Sequence, residues 1–196
     1  MDTNSKIAAP DRNAANAWFG SSVSISGTSI VVGTAYEDKD AAGLNPLNDA
    51  GAAYVFVFDA GAGEFVFEQK FTPSVRAAND RFGFSVGISG NYVVSGAYLQ
   101  NTDASGANPL SSAGAAYIFF RTGSVWAQQA KLVAFDRAAG DFFGTNVSID
   151  GDVALVGASL NDKDASGANI ISNAGGAYIF SQGRNSLGTG AKNCSG

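Results

Sequence analysis

Three times along the chain, a short stretch of alternating apolar and polar residues is followed by an apolar run that ends at glycine. Ser22-Val23-Ser24-Ile25 leads through Ser26-Gly27 to Ile30-Val31-Val32-Gly33. Ser85-Val86-Gly87-Ile88 leads through Ser89-Gly90 to Val93-Val94-Ser95-Gly96, and Asn146-Val147-Ser148-Ile149 through Asp150-Gly151 to Ala154-Leu155-Val156-Gly157. Alternation with period two predicts a strand with one apolar face, and a Gly-containing dipeptide after it predicts a tight hairpin. The continuous apolar run predicts a strand buried on both faces. After a longer polar loop, the chain re-enters at Gly51-Ala52-Ala53-Tyr54-Val55-Phe56, Gly114-Ala115-Ala116-Tyr117-Ile118-Phe119 and Gly175-Gly176-Ala177-Tyr178-Ile179-Phe180. These aromatic and β-branched segments predict a third strand. A fourth, Glu64-Phe65-Val66-Phe67-Glu68-Gln69-Lys70 or Ser124-Val125-Trp126-Ala127-Gln128-Gln129-Ala130-Lys131, mixes aromatics with charge, as an outer edge strand does. No segment has helical spacing.

The landmarks stay in register. Phe19-Gly20, Phe82-Gly83 and Phe143-Gly144 are separated by 63 and 61 residues. A fixed period of this length signals a repeat architecture. Four-stranded antiparallel units at that period predict an all-β fold built of β-propeller blades, as a partial or oligomer-completed propeller. The expected organisation is an N-terminal strand over 1–13 that completes a blade, repeats over 14–76, 77–137 and 138–182, and a disordered Gly-rich tail over 183–196. The third repeat lacks an outer strand. Lys6-Ile7-Ala8-Ala9-Pro10-Asp11-Arg12 parallels Lys131-Leu132-Val133-Ala134-Phe135-Asp136-Arg137, which ends a fourth strand.

Composition narrows the chemistry. The 196 residues include no His and one Cys, with 12 Lys+Arg against 17 Asp+Glu. Histidine-based nucleophile pairs and His-ligated metals are excluded, and Cys194 forms no internal disulfide. A net charge of -5 speaks against nucleic acid as a partner. No apolar stretch approaches the ~20 residues of a membrane-spanning helix. Met1 to Phe19 holds no apolar run of the secretory kind, so either the protein is intracellular or an upstream region is missing.

The connections between the second and third strands carry the candidate chemistry. Each contains two oxygen-bearing side chains two residues apart with Gly after them: Asp38 and Asp40 with Gly43, Asn101 and Asp103 with Gly106, Asp162 and Asp164 with Gly167. Loops of this length often carry function, which makes these six residues candidate partner-binding positions. In a propeller they share a face with the blade-to-blade links bearing Asp80-Arg81 and Asp141, so the acidic residues are expected to converge. Two roles fit. Asp38, Asp40, Asp103, Asp162 and Asp164 suit a weak Ca²⁺ site, as carboxylates that bend around a hard cation. The same side chains also suit Asx-turns that cap the loop backbone. Phe19, Phe82 and Phe143, with Tyr54, Tyr117 and Tyr178, are expected in the core between blades. Trp126 and Trp18 are expected to pack rather than to form a sugar-stacking platform.

Phe-Gly at 19, 82 and 143, with Gly96-Ala97-Tyr98, Gly157-Ala158-Ser159 and the degenerate Gly33-Thr34-Ala35, resembles the FG-GAP repeat family. That family builds the head of integrin alpha subunits and many surface proteins, and the likeness covers about residues 14 to 180. It implies an extracellular or cell-surface interaction or adhesion module that binds a protein or glycan and is not an enzyme. The family's calcium loop between the first two strands is absent here. The alternatives are a propeller segment accessory to a hydrolase, or a carboxylate-only glycosidase-like enzyme. Three blades need more blades, either from a longer parent chain, the preferred reading, or from a second copy, three plus three.

Overall fold

The computed structural model describes residues 5–11, 17–164, 166 and 169–181. The tail expected over 183–196, with Cys194, and the loop glycine Gly167 lie outside the described residues. Eleven strands form three antiparallel sheets. Blade 1 holds β1 (Ser22–Ser26), β2 (Ser29–Thr34), β3 (Ala52–Asp59) and β4 (Glu64–Phe71) in spatial order β1-β2-β3-β4. Blade 2 repeats this with β5 (Ser85–Ser89), β6 (Tyr92–Ala97), β7 (Ala115–Thr122) and β8 (Val125–Leu132). Blade 3 holds β9 (Phe143–Asp150), β10 (Val153–Ala158) and β11 (Gly176–Ser181), in order β11-β10-β9. No helix occurs among the described residues. The sheets stack in chain order, with β1 against β5 and β5 against β9, as propeller blades do.

The hairpins form where the sequence places them, one residue further on than the dipeptides suggest. Ser26 pairs with Ser29, Ser89 with Tyr92 and Asp150 with Val153. The turn residues are therefore Gly27-Thr28, Gly90-Asn91 and Gly151-Asp152, with φ of 56°, 53° and 55° at the glycine. A positive φ at the first turn position is what a two-residue hairpin needs, and Gly supplies it without a Cβ clash.

The core lies between the blades. Val31, Val55 and Phe71 of blade 1 pack against Phe82, Val86 and Phe119 of blade 2, and the Phe71 and Phe119 rings stack with centroids 4.9 Å apart. Val94 and Ile118 of blade 2 meet Phe143, Val156 and Phe180 of blade 3 in the same manner. Phe82 and Phe143 are fully buried, each edge-on to the Tyr of its own third strand at 5.6 and 5.4 Å, as the repeat signature predicts. Phe19 makes the same contact with Tyr54 at 5.5 Å but is only half-buried. A bulge at Glu68 in β4 turns its carboxylate to blade 2, where it accepts a hydrogen bond from Trp126 Nε1 at 2.7 Å and pairs with Arg121.

Two expectations need correction. The second strand is buried on both faces in β2 and β6, but Val153 and Leu155 of β10 are exposed. That face of β2 and β6 is covered by the following blade, and no described residue packs on it in blade 3. Residues 5–11 form no strand, because a fourth strand needs the third strand of its own sheet to pair with. Ile7 and Ala9 nevertheless pack on blade 1 against Val32, Ala52 and Tyr54. Leu132 and Ala134 take the same places on blade 3.

Candidate functional site

The β2–β3, β6–β7 and β10–β11 connections lie with the blade-to-blade links at one end of the strands. The backbones are joined directly: Arg81 N donates to Asp49 O and Phe82 N to Ala50 O, and Phe142 N donates to Ser112 O and Phe143 N to Ala113 O. Arginines from the links clamp the loops. Arg76 donates from Nη2 to Asp38 O at 2.9 Å and from Nη1 to Asn45 O at 3.2 Å. Arg137 repeats this on Asn101 O and Asn108 O at 2.7 and 3.0 Å.

Within each loop the two candidate residues have separate jobs. The first closes the loop: Asp38 Oδ1 accepts from Asp49 N at 2.8 Å, Asn101 Oδ1 from Ser112 N at 2.7 Å and Asp162 Oδ1 from Asn173 N at 2.6 Å. The second winds the tip. Asp40 Oδ1 accepts from Ala42 N and Leu44 N, and its Oδ2 from Asn45 Nδ2 at 2.7 Å. Asp103 accepts from Ser105 N, Ser105 Oγ, Ala107 N and Asn108 Nδ2, and Asp164 from Ser166 and Asn169 in the corresponding way. These donors hold the Asp103 carboxyl well below its ordinary range, the Ser105 hydroxyl first among them. The backbone amide of Leu44 leads the same effect at Asp40. Of the two roles open to these side chains, hydrogen-bonded turns are the one displayed.

The acidic residues share a face without converging. Among the described residues no three His, Cys, Asp or Glu side chains are grouped to hold a metal ion. Asp80 is buried instead, accepting from Ala77 N at 2.7 Å and Gln100 Nε2 at 3.0 Å. Burial pushes its carboxyl up to about 6. Lys131, whose Nζ donates to Thr102 O and Oγ1, is pushed down to about 8 by the same cause.

Sequence reading missed this buried polar layer. One repeat position, occupied by Glu37, Gln100 and Asn161, lies under the loops in all three blades. In blades 2 and 3 an amide there accompanies Asp80 or Asp141. In blade 1 Ala17 stands where the Asp would be, and the acid moves to Glu37, which forms an ion pair with Lys70 Nζ at 3.3 Å. Lys70 also pairs with Asp11 at 2.8 Å. The third-strand tyrosines reach into the preceding link: Tyr54 donates to Asp11 Oδ1, Tyr117 to Val75 O and Tyr178 to Asp136 Oδ1. Burial raises all three hydroxyls far above their usual value, so they remain protonated donors. Columns of residues at the 63- and 61-residue spacing, such as Lys70 with Lys131, held the signal.

Trp126 is buried between blades, as expected. Trp18 departs from expectation: it is 61% exposed, with its ring 4.5 Å from Tyr36. Its backbone φ is 56°, in the turn that leads into β1. Arg81 stacks on the same Tyr36 with its guanidinium 3.9 Å from the ring centre and pairs with Asp49. In the next blade Phe84 and Phe142 flank Tyr98 at 4.4 and 5.6 Å. An aromatic and cationic row thus lies at the loop end of the strands.

Such a stack of repeated sheets, with rigid loops and links at one end, defines a segment of a β-propeller. The model of the FG-GAP repeat matches residues 2–56, 65–119 and 126–180, and the chain belongs to that family. No match is found among curated proteins.

Proposed function

We propose that this chain is a non-enzymatic interaction or adhesion module, which holds a protein or glycan partner on the face formed by the long loops and the blade links. One observation supports it most: the three loops share one hydrogen-bond plan and the first two are locked to the following links, so Trp18, Tyr36, Arg81 and Tyr98 beside them are pre-ordered. Rigid aromatic and arginine side chains lose little entropy on binding and dominate interface energetics. The cell-surface setting belongs to the same reading and rests on the resemblance to integrin alpha heads. It uses no bound cation, since the loop carboxylates already accept from the loops' own donors. Catalysis is not part of it, because the chain has no histidine and the carboxylates on this face are engaged in turns.

Binding to a printed glycan array and to a panel of purified extracellular-matrix proteins tests the reading. The expected result is a ligand retained by the wild type and lost in Trp18→Ala combined with Tyr36→Ala, with circular dichroism of the double variant unchanged. Binding that survives this double variant would move the site elsewhere. Turnover of a glycoside panel, lost in Asp38→Asn with Asp40→Asn, would replace the module with an enzyme.

A further inference from the structure

Blade 1 holds a buried lysine that the binding face does not use. Lys70 lies near the end of β4 with its side chain 4% exposed, and its Nζ faces two carboxylates, Asp11 Oδ2 at 2.8 Å and Glu37 Oε1 at 3.3 Å. The Glu37 side chain is 5% exposed and that of Asp11 31%. Tyr54 of β3 completes the group. Its hydroxyl donates to the other oxygen of Asp11, Oδ1, at 2.8 Å, and lies 3.5 Å from Glu37 Oε2. Lys70 Nζ is 5.3 Å from the centre of the Tyr54 ring, which packs against Phe19 and Phe67.

A buried ion pair is weak evidence of a stabilising role, because desolvation offsets the attraction. Two acids on one lysine are also one more than a salt bridge needs. Comparison of the blades shows that the fold does not demand this set. Blade 2 builds the same strands around Lys131, with Gln100 at the place of Glu37 and Val75 at the place of Asp11. There Lys131 Nζ donates to Thr102 O and Oγ1 at 3.0 and 2.7 Å, and Tyr117 donates to the backbone at Val75 O. Blade 3 keeps an Asp under its tyrosine, Asp136 with Tyr178, but has Asn161 at the place of Glu37. Among the described residues only blade 1 brings lysine, aspartate, glutamate and tyrosine together.

We infer that Lys70 and Asp11 join in an intramolecular isopeptide bond, with Glu37 carrying a proton between them and Tyr54 polarising the carboxyl. The four groups supply what acyl transfer needs: a nucleophile, an electrophile, an acid-base group and an oxyanion donor. Burial raises the Asp11 carboxyl, but the hydrogen bonds from Lys70 and Tyr54 outweigh it and hold it below its ordinary range. The resting pair is therefore an ammonium and a carboxylate. Nζ first passes one proton along its hydrogen bond to Asp11 Oδ2. The freed lone pair attacks Cγ, and the Tyr54 hydroxyl supports the charge that develops on Oδ1. Glu37 takes a second proton from the nitrogen and delivers it to Oδ2, the C–O bond breaks, and water leaves by the exposed side of Asp11. One ammonium hydrogen stays on the amide nitrogen and two depart with the water, so neither an oxidant nor a reductant is required. Reactants held in contact need no encounter, and a buried setting favours a neutral amide over an ion pair.

The bond would close residues 12–69 into a covalent loop that contains β1, β2 and β3. Tension arriving on either side of the loop would pass through the bond, leaving these strands unloaded. A cross-link over such a length also constrains the unfolded chain. None of this depends on which partner the long loops hold.

Intact mass spectrometry of the purified full chain under denaturing conditions tests the inference. The expected mass is below that of the sequence by one water. Tryptic mapping should find residues 7–12 joined to residues 40–76, with no cleavage after Lys70. Glu37→Gln, and separately Lys70→Arg, which keeps the positive charge but not the nucleophile, should show the full sequence mass with circular dichroism unchanged. A wild-type chain at its full sequence mass overturns the inference whatever the variants do. So does a water loss that maps elsewhere, such as a succinimide at Asp150-Gly151. A Glu37→Gln chain joined as completely as the wild type would overturn the role given to Glu37.

Discussion

Gly96 and Gly157 occupy the same position of the same strand in consecutive blades, but only Gly96 is crowded. A carbonyl of the next blade presses on Gly96, while Gly157 faces open space. The Phe of the repeat signature shows the same split: Phe82 and Phe143 are fully buried and Phe19 is half-buried. Nothing about the blade itself differs at these positions. The repeat sequence thus encodes each blade's neighbour as much as the blade, and a residue's weight depends on whether that neighbour is present.

Substitution at the paired glycines should break this equivalence most sharply. Gly33→Ala or Gly96→Ala drives a Cβ into backbone on the adjacent blade, and a loss of more than about 4 kcal/mol in urea unfolding is expected. Gly157→Ala should stay within about 0.5 kcal/mol. Next in size are the phenylalanines. Phe82→Ala should cost about 3–5 kcal/mol as a buried cavity, and Phe19→Ala less than half of that. Equal losses at the paired sites would dissolve the comparison.

A smaller effect comes from Asp80, whose carboxyl burial raises from 3.8 to about 6. The folded chain then binds this proton more tightly than the unfolded chain does, so the contribution of Asp80 to stability is greatest below about pH 4 and falls as the pH rises toward 6. The loss is at most about 3 kcal/mol. Asp80→Asn should flatten that slope, and an unchanged slope would assign it to other groups. Smallest of all is the response to cation. Millimolar Ca²⁺ should leave the melting temperature unmoved, because Asp40, Asp103 and Asp164 already accept from donors in their own loops. A rise would mark binding to the folded chain.

Much of the fold was legible because its signals are local and threefold. The alternation at Ser22–Ile25, the glycine turns and the Tyr-centred third strand each report a strand without knowledge of the others. The candidate loops were legible as loops, and Asp38 or Asp103 was found by spacing, but spacing alone does not separate a turn from an ion site. The buried layer of Glu37, Gln100 and Asn161 escaped notice because it matters only through long-range partners, and because its chemistry changes between copies while its place does not. Trp18 was misjudged for a related reason: burial habits assume a packed neighbour, and its ring meets Tyr36 yet stays 61% exposed.

Amide hydrogen exchange on β1 and β5 tests most directly whether a blade face is completed by the adjacent blade. Val86 and Ile88, capped by serine hydroxyls of blade 1, should exchange slowly, and Val23 and Ile25, at the same repeat positions, should exchange fast. Equal protection on the two strands would contradict the account.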